Sequence, residues 1–161
     1  MNIIKWLVMG VAAFFSTAQA MAAAPHNFGV GVILGEPTGI SVKKWLNDSN
    51  AIDGAAAWSL SDNEFFQIHG DYLFHAYNVF KTNGIQGRLP LYYGVGGRVG
   101  FNDQHDGSRH TRVGIRFPIG ITYLRNNAPF DLFVELVPML DVAPSTSVRL
   151  GLSVGGRFYF M

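Results

Sequence analysis

Apolar and polar residues alternate singly along most of this chain, most clearly from Arg112 to Leu124. Val113, Ile115, Phe117, Ile119, Ile121 and Tyr123 fall on one parity, and Arg112, Gly114, Arg116, Pro118, Gly120 and Thr122 on the other. Successive side chains of a β-strand point to opposite faces, so this pattern is a strand with one greasy and one polar or small face. The same parity recurs in Phe28–Leu34, around Ile40 and Val42, in Ile52–Trp58, Phe66–His75, Leu91–Val99, Phe130–Leu136 and Val148–Phe160. Between these runs lie turn-forming residues: Gly35-Glu36-Pro37-Thr38, Asn47-Asp48-Ser49-Asn50, Ser61-Asp62-Asn63, Asn102 to His110, Asn126-Asn127-Ala128-Pro129 and Ala143-Pro144-Ser145-Thr146. One longer connection, Asn78 to Arg88, carries Asn83-Gly84. The prediction is all-β: an eight-stranded antiparallel up-and-down barrel, most strands about 9 to 12 residues long.

The first residues break the pattern. Met1 to Lys5 is a short positive segment, Trp6 to Phe15 an apolar run, and Ala18-Gln19-Ala20 a small-x-small cleavage site. This reads as a Sec-type signal peptide over residues 1–24, with cleavage after Ala20, Ala22 or Ala24, and residues 25–161 as the exported barrel. No later stretch holds 18 consecutive apolar residues, so no transmembrane helix is expected.

Eight amphipathic strands fit two architectures, with the greasy face inside for a soluble lipocalin-like barrel and outside, against lipid, for an outer-membrane barrel. Four features favour the second. Lys43, Asp53, Asp71, Arg98, Arg112, Arg116, Asp131, Glu135, Arg149 and Arg157 share the non-greasy parity in mixed sign, as a closed interior of paired charges requires. Gly29, Gly31, Gly94, Gly96, Gly100, Gly114, Gly120, Gly151 and Gly155 share it too, and an eight-stranded barrel has just enough lumen for packed side chains. The strand lengths suit a tilted crossing of a bilayer. Aromatics collect near strand ends, at Phe28, Trp45, Trp58, Tyr77, Phe101, Tyr123, Phe130, Phe158 and Phe160, as in an interfacial belt. The chain is 14% charged, below the roughly 25% of soluble domains. Without Lys5, 11 Lys and Arg face 11 Asp and Glu, so no basic face is offered to nucleic acid. Cysteine is absent, which excludes disulfides, thiolate metal sites and a Cys nucleophile.

The C-terminus, Ser153-Val154-Gly155-Gly156-Arg157-Phe158-Tyr159-Phe160, resembles the C-terminal assembly signal of bacterial outer-membrane proteins, carried by Gly155, Phe158 and Phe160. Met161 follows the aromatic that normally ends such a chain. Residues 28–160 are also similar to a family of small exported barrel proteins of unassigned function. The matching stretches are Gly35-Glu36-Pro37-Thr38-Gly39, Ala51-Ile52-Asp53-Gly54, Asp71-Tyr72-Leu73-Phe74-His75, Leu89-Pro90-Leu91-Tyr92-Tyr93-Gly94 and Asn127-Ala128-Pro129-Phe130-Asp131. The resemblance implies a barrel read by the barrel assembly machinery, and no reaction.

The nearest approach to catalytic chemistry is His69, Asp71 and His75, which share the interior parity of one strand. A His–carboxylate pair can orient a general base, with Ser59 or Ser61 supplying a hydroxyl. Outer-membrane enzymes that deacylate lipid A resemble the chain in size, export and strand count, but their His-Ser dipeptide is missing: the five histidines precede Asn27, Gly70, Ala76, Asp106 and Thr111. The competing reading is a polar network that fills the lumen. His105, Asp106 and His110, with Asp103, lie in one loop and read as solvated residues, so neither a metal nor a cofactor is expected. Pro118 and Pro138 are expected at similar depth in neighbouring strands, breaking the ladder there.

The expected function is thus a small non-enzymatic outer-membrane barrel with a filled polar lumen and a structural, envelope or surface-interaction role. Outer-membrane lipid and lipopolysaccharide are the expected partners, and the barrel assembly machinery during biogenesis. A lipid A-modifying enzyme and a soluble binder of apolar ligands are the alternatives. Both termini and the 78–88 connection are expected to face the periplasm.

Overall fold

A computed structural model describes residues 27–59, 65–103 and 107–160. The signal-peptide assignment, Ser61, His105, Asp106 and Met161 lie outside these residues. Ten strands are formed: β1 (Phe28–Gly35), β2 (Thr38–Trp45), β3 (Asn50–Ser59), β4 (Phe65–Ala76), β5 (Gly87–Arg88), β6 (Leu91–Asp103), β7 (Arg109–Arg116), β8 (Ile119–Arg125), β9 (Phe130–Ala143) and β10 (Ser147–Phe160). All pairings are antiparallel, and β10 pairs with both β9 and β1, so the sheet closes on itself.

The barrel has eight staves, because two of them are interrupted. β7 and β8 both lie between β6 and β9 in one unbroken register, Gly96 facing Arg116 and Tyr93 facing Ile119. The interruption falls at Phe117–Pro118, where proline has no N–H for the ladder. β5 likewise continues β6: Arg88 faces Leu124 as Leu91 faces Ile121, and the break falls at Leu89–Pro90. Thr122 N–H bonds the Pro90 carbonyl across it at 3.1 Å. The two-residue β5 lies inside the connection read from sequence as an irregular loop.

Strand lengths scatter more than the alternation suggested. β1 and β2 have 8 residues, whereas β9 and β10 have 14. β6 and β7 also run into the 102–110 loop, pairing Asn102 with His110 and Asp103 with Arg109. A bulge leaves Val142 unopposed, since Val113 pairs with Ala143 and Gly114 with Asp141.

One end of the barrel carries both ends of the described chain, residues 46–49, the 77–90 connection and residues 126–129. Trp45 N–H bonds Asn27 O there at 2.9 Å, and Tyr159 N–H bonds Pro129 O at 2.7 Å. The other end carries the Glu36–Pro37 and 144–146 turns. At the first of these, Gly35 takes a φ of 127°, a conformation closed to other residues, and Thr38 Oγ1 bonds Gly35 N–H at 3.1 Å.

The face assignment is decided by exposure. Val134 is 53% exposed and Ile119 47%, while Asp131 is 0% and Arg116 1% exposed. A water-soluble fold buries its large apolar side chains and exposes its charges. Here the large apolar residues of the greasy parity are exposed and most strand charges are buried, so the greasy parity faces out and the soluble-barrel alternative is set aside. Aromatics cluster near both rims of this outer surface, Trp58, Phe66 and Phe101 at one end and Tyr72, Phe74 and Tyr93 at the other. Trp45 departs from the expected belt: it is buried in the lumen, its ring 4.3 Å from that of His75.

Candidate functional site

The lumen is the only place where the chain concentrates chemistry among the described residues. Every inward position of a closed barrel points at the same axis, so residues distant in sequence meet there. Backbone proximity leaves little room at the walls. A Cβ on Gly96 would collide with Asp71 Oδ1, one on Gly114 would come 2.6 Å from Asp141 Oδ1, and one on Gly120 would come 2.5 Å from the Tyr92 hydroxyl. Inward glycines thus make the space that the charged side chains occupy.

Three ion-pair clusters are stacked along the axis. Near the Glu36–Pro37 end, Arg98 binds Asp141 Oδ1 through Nε at 3.1 Å and Nη2 at 2.5 Å, and donates from Nη1 to Gln67 at 2.9 Å. Arg149 approaches the other oxygen of Asp141 at 3.3 Å, and Ser147 donates to it at 3.3 Å. In the middle, Arg116 Nε lies 3.1 Å from both oxygens of Asp71, and Arg116 Nη2 lies 3.6 Å from Glu135. Tyr92 donates its hydroxyl to the second Glu135 oxygen at 2.7 Å. Towards the terminal end, Arg157 spans Asp53 at 3.1 Å and Asp131 at 3.4 Å, donates to Ser41 at 2.8 Å, and lies 4.0 Å over the Phe133 ring. The Tyr159 hydroxyl donates to Asp131 at 2.5 Å.

Lys43 is solved differently. It is 1% exposed, and its ammonium lies 2.9 Å from His75 Nε2 and 4.4 Å from the Trp45 ring centre. An ammonium only donates, so His75 Nε2 accepts and Nδ1 carries the hydrogen, which goes to Ser49 O at 3.2 Å. The ring is held as a neutral acceptor in a dry aromatic collar.

These contacts take apart the candidate catalytic line. Asp71 is committed to Arg116 and His75 to Lys43, and no hydrogen bond joins His69, Asp71 and His75 to one another among the described residues. Ser59 donates to the Glu36 carboxylate, on β1–β2 rather than on the histidine strand. His69 is buried, with Nδ1 unpaired by any protein group. A nucleophile–base pair needs hydrogen-bond contact between its members, and Ser59, His69, Asp71 and His75 make none with one another among the described residues. His110 stands on β7 beside the Ser108 hydroxyl, 3.3 Å away. Arg112 is half-buried at the fourth position of the same strand.

Asp141 was missing from the sequence-derived set, although it anchors two arginines. It lies beyond Pro138, on the same inward parity as Asp131 and Glu135. Gln67, Ser41, Tyr92 and Tyr159 were also missing as ligands of the charges; each shares the inward parity, and that parity was the available signal.

Comparison with solved structures shows the same architecture. The N-terminal β-barrel domain of Pseudomonas aeruginosa OprF superposes with a TM-score of 0.59 at 17% identity, covering 84% of this chain and 100% of that one. Neisserial surface protein A superposes with a TM-score of 0.52 at 18% identity, covering 87% of this chain and 100% of that one. No protein-family model and no curated protein matches the sequence. The fold is that of an outer-membrane β-barrel.

Proposed function

We propose that the chain is a small, non-enzymatic barrel resident in the bacterial outer membrane, contributing structure or surface interactions to the envelope. The carrying observation is the lumen. Four buried cations, Lys43, Arg98, Arg116 and Arg157, are packed among five buried carboxylates, Asp53, Asp71, Asp131, Glu135 and Asp141. The arginines hold them by direct contact in a barrel too narrow for an open pore. Such a lumen is a plug that ties opposite walls together, with Asp71 and His75 of the histidine strand already committed to Arg116 and Lys43. Lipid and lipopolysaccharide are the partners of the outer face, and Gly155, Phe158 and Phe160 on β10 form the signal read by the assembly machinery. Export through residues 1–24 belongs to the same reading.

The test has two arms. Cells are fractionated, and the extracted protein is run on a gel with and without boiling; a closed barrel migrates differently before and after heating. Labelled lipid A is then incubated with the folded barrel. Outer-membrane recovery, heat-modifiable mobility and unchanged lipid A support the reading. A soluble periplasmic product, or release of an acyl chain, overturns it.

A further inference from the structure

A groove of about 650 Å³ crosses the outer surface at β1, β10, β9 and β8, within the size range of small-ligand sites, about 300–1,000 Å³. It follows one cross-strand row, Val32 to Gly156 to Leu132 to Tyr123, which the register continues to Leu89. Gly156 occupies an outward position, so the row lacks a side chain at its centre and the strand backbone forms the floor. Val154, Val134 and Ile121, in the next row, form one wall.

Polarity changes in order along the Tyr123 edge. Ile121, Tyr123 and Arg125 are outward neighbours on β8, spaced about 6.8 Å apart. Ile121 lies in the apolar belt. The Tyr123 hydroxyl donates to Gln86 O at 2.8 Å, which marks where polar groups begin. Arg125 is exposed immediately beyond, at the end that carries the chain termini. Apolar groove, hydrogen-bonding rim and cation follow the sequence of a glycerophospholipid: acyl chain, ester region, phosphate.

We propose that this groove seats an acyl chain of an anionic phospholipid from the leaflet at the terminal end, with Arg125 holding its phosphate. The proposal rests on the membrane reading above. A second outward depression, the row Gly54, Gly70 and Gly97 across β3, β4 and β6, has no such cation aligned with it on its own strands and serves as the control.

The experiment is native mass spectrometry of the refolded barrel, delipidated and titrated with phosphatidylglycerol or phosphatidylcholine of equal chain length. The wild type is expected to retain one phosphatidylglycerol severalfold more readily than phosphatidylcholine. Arg125→Gln should remove that preference while leaving chain binding, and Gly156→Leu, which fills the groove from the lipid side, should lower retention of both. Lys44→Gln, exposed at the same end on β2, and Gly70→Leu should leave retention unchanged. The proposal fails if there is no preference, if Lys44→Gln matches Arg125→Gln, or if Gly70→Leu matches Gly156→Leu. Heat-modifiable mobility of each sample separates that failure from failure of the membrane reading, since a variant that shifts on boiling is a folded barrel whatever its lipid.

Discussion

Replacing Arg116 with methionine should be among the most damaging single changes in the lumen. The Arg116 and Asp71 side chains are each 1% exposed and Glu135 is 5% exposed, so no water replaces the guanidinium. Methionine keeps most of the alkyl volume beside Met139, whose sulfur already lies 3.8 Å from Arg116 Nη1. The loss is therefore electrostatic. Removing one partner of a buried pair costs about 3–5 kcal/mol because the other charge is left uncompensated. Glu135 keeps the Tyr92 hydroxyl, so most of the penalty falls on Asp71. Asp71→Asn in the Arg116→Met background removes that stranded charge and should recover stability, with a coupling energy near 2–3 kcal/mol, the upper end for residues in contact. The assay is urea unfolding of the barrel refolded in lipid vesicles, followed by Trp45 and Trp58 fluorescence and by gel mobility. A cost below about 1 kcal/mol for Arg116→Met would put the pair in the class of exposed ion pairs. That result, or a double variant no better than the single, would refute the plugged lumen.

Ile119→Arg places a charge on the lipid face and should cost about 2–4 kcal/mol if it lies near the bilayer midplane, read by the same urea titration. Gly120→Ser looks mild from the alternation alone, but its Cβ would lie 2.5 Å from both Val134 O and the Tyr92 hydroxyl, so it too should destabilise the barrel; an unchanged midpoint would show that the wall can yield. Amides flanking Pro118 and Pro138 should exchange faster in detergent than those of Val148–Val154, because Phe117 N–H bonds Pro138 O at 2.9 Å and proline returns no bond; equal protection would remove the seam. Trypsin applied to whole cells should cut near Arg109, at the barrel end opposite the one that carries Arg88, before it cuts at Arg88, and early cleavage at Arg88 would invert the proposed orientation.

Much of the architecture was readable because a barrel with lipid outside imposes period-2 alternation on every stave. Arg116, Asp131 and Arg157 are inward for the same reason that Ile115, Leu132 and Phe158 are outward. Partners were not readable: which carboxylate meets Arg157 depends on register and on the geometry across the lumen, and parity carries neither. Asp141 escaped notice because the run was read only to Leu136, although the parity it shares with Asp131 and Glu135 continues past Pro138 and puts it inside. Trp45 was placed in the lipid belt by residue type, although its parity, shared with Lys43, puts it inside. β5 was hidden because Pro90 separates its two residues from the rest of the stave. His69, Asp71 and His75 form a line on one strand, but sharing a face fixes only their direction, and their partners come from other staves.

The central claim is that the greasy parity faces lipid and the charged parity faces a closed lumen. The chain has no cysteine, so single cysteines can be introduced cleanly for spin labels. Positions Leu132, Val134 and Leu136 alternate on β9 with Phe133 and Val137. In the refolded barrel in vesicles, collisions with membrane-dissolved oxygen should be high at Leu132, Val134 and Leu136 and low at Phe133 and Val137. The opposite phase, or equal accessibility to oxygen and to a water-soluble relaxation agent at every position, would contradict the account.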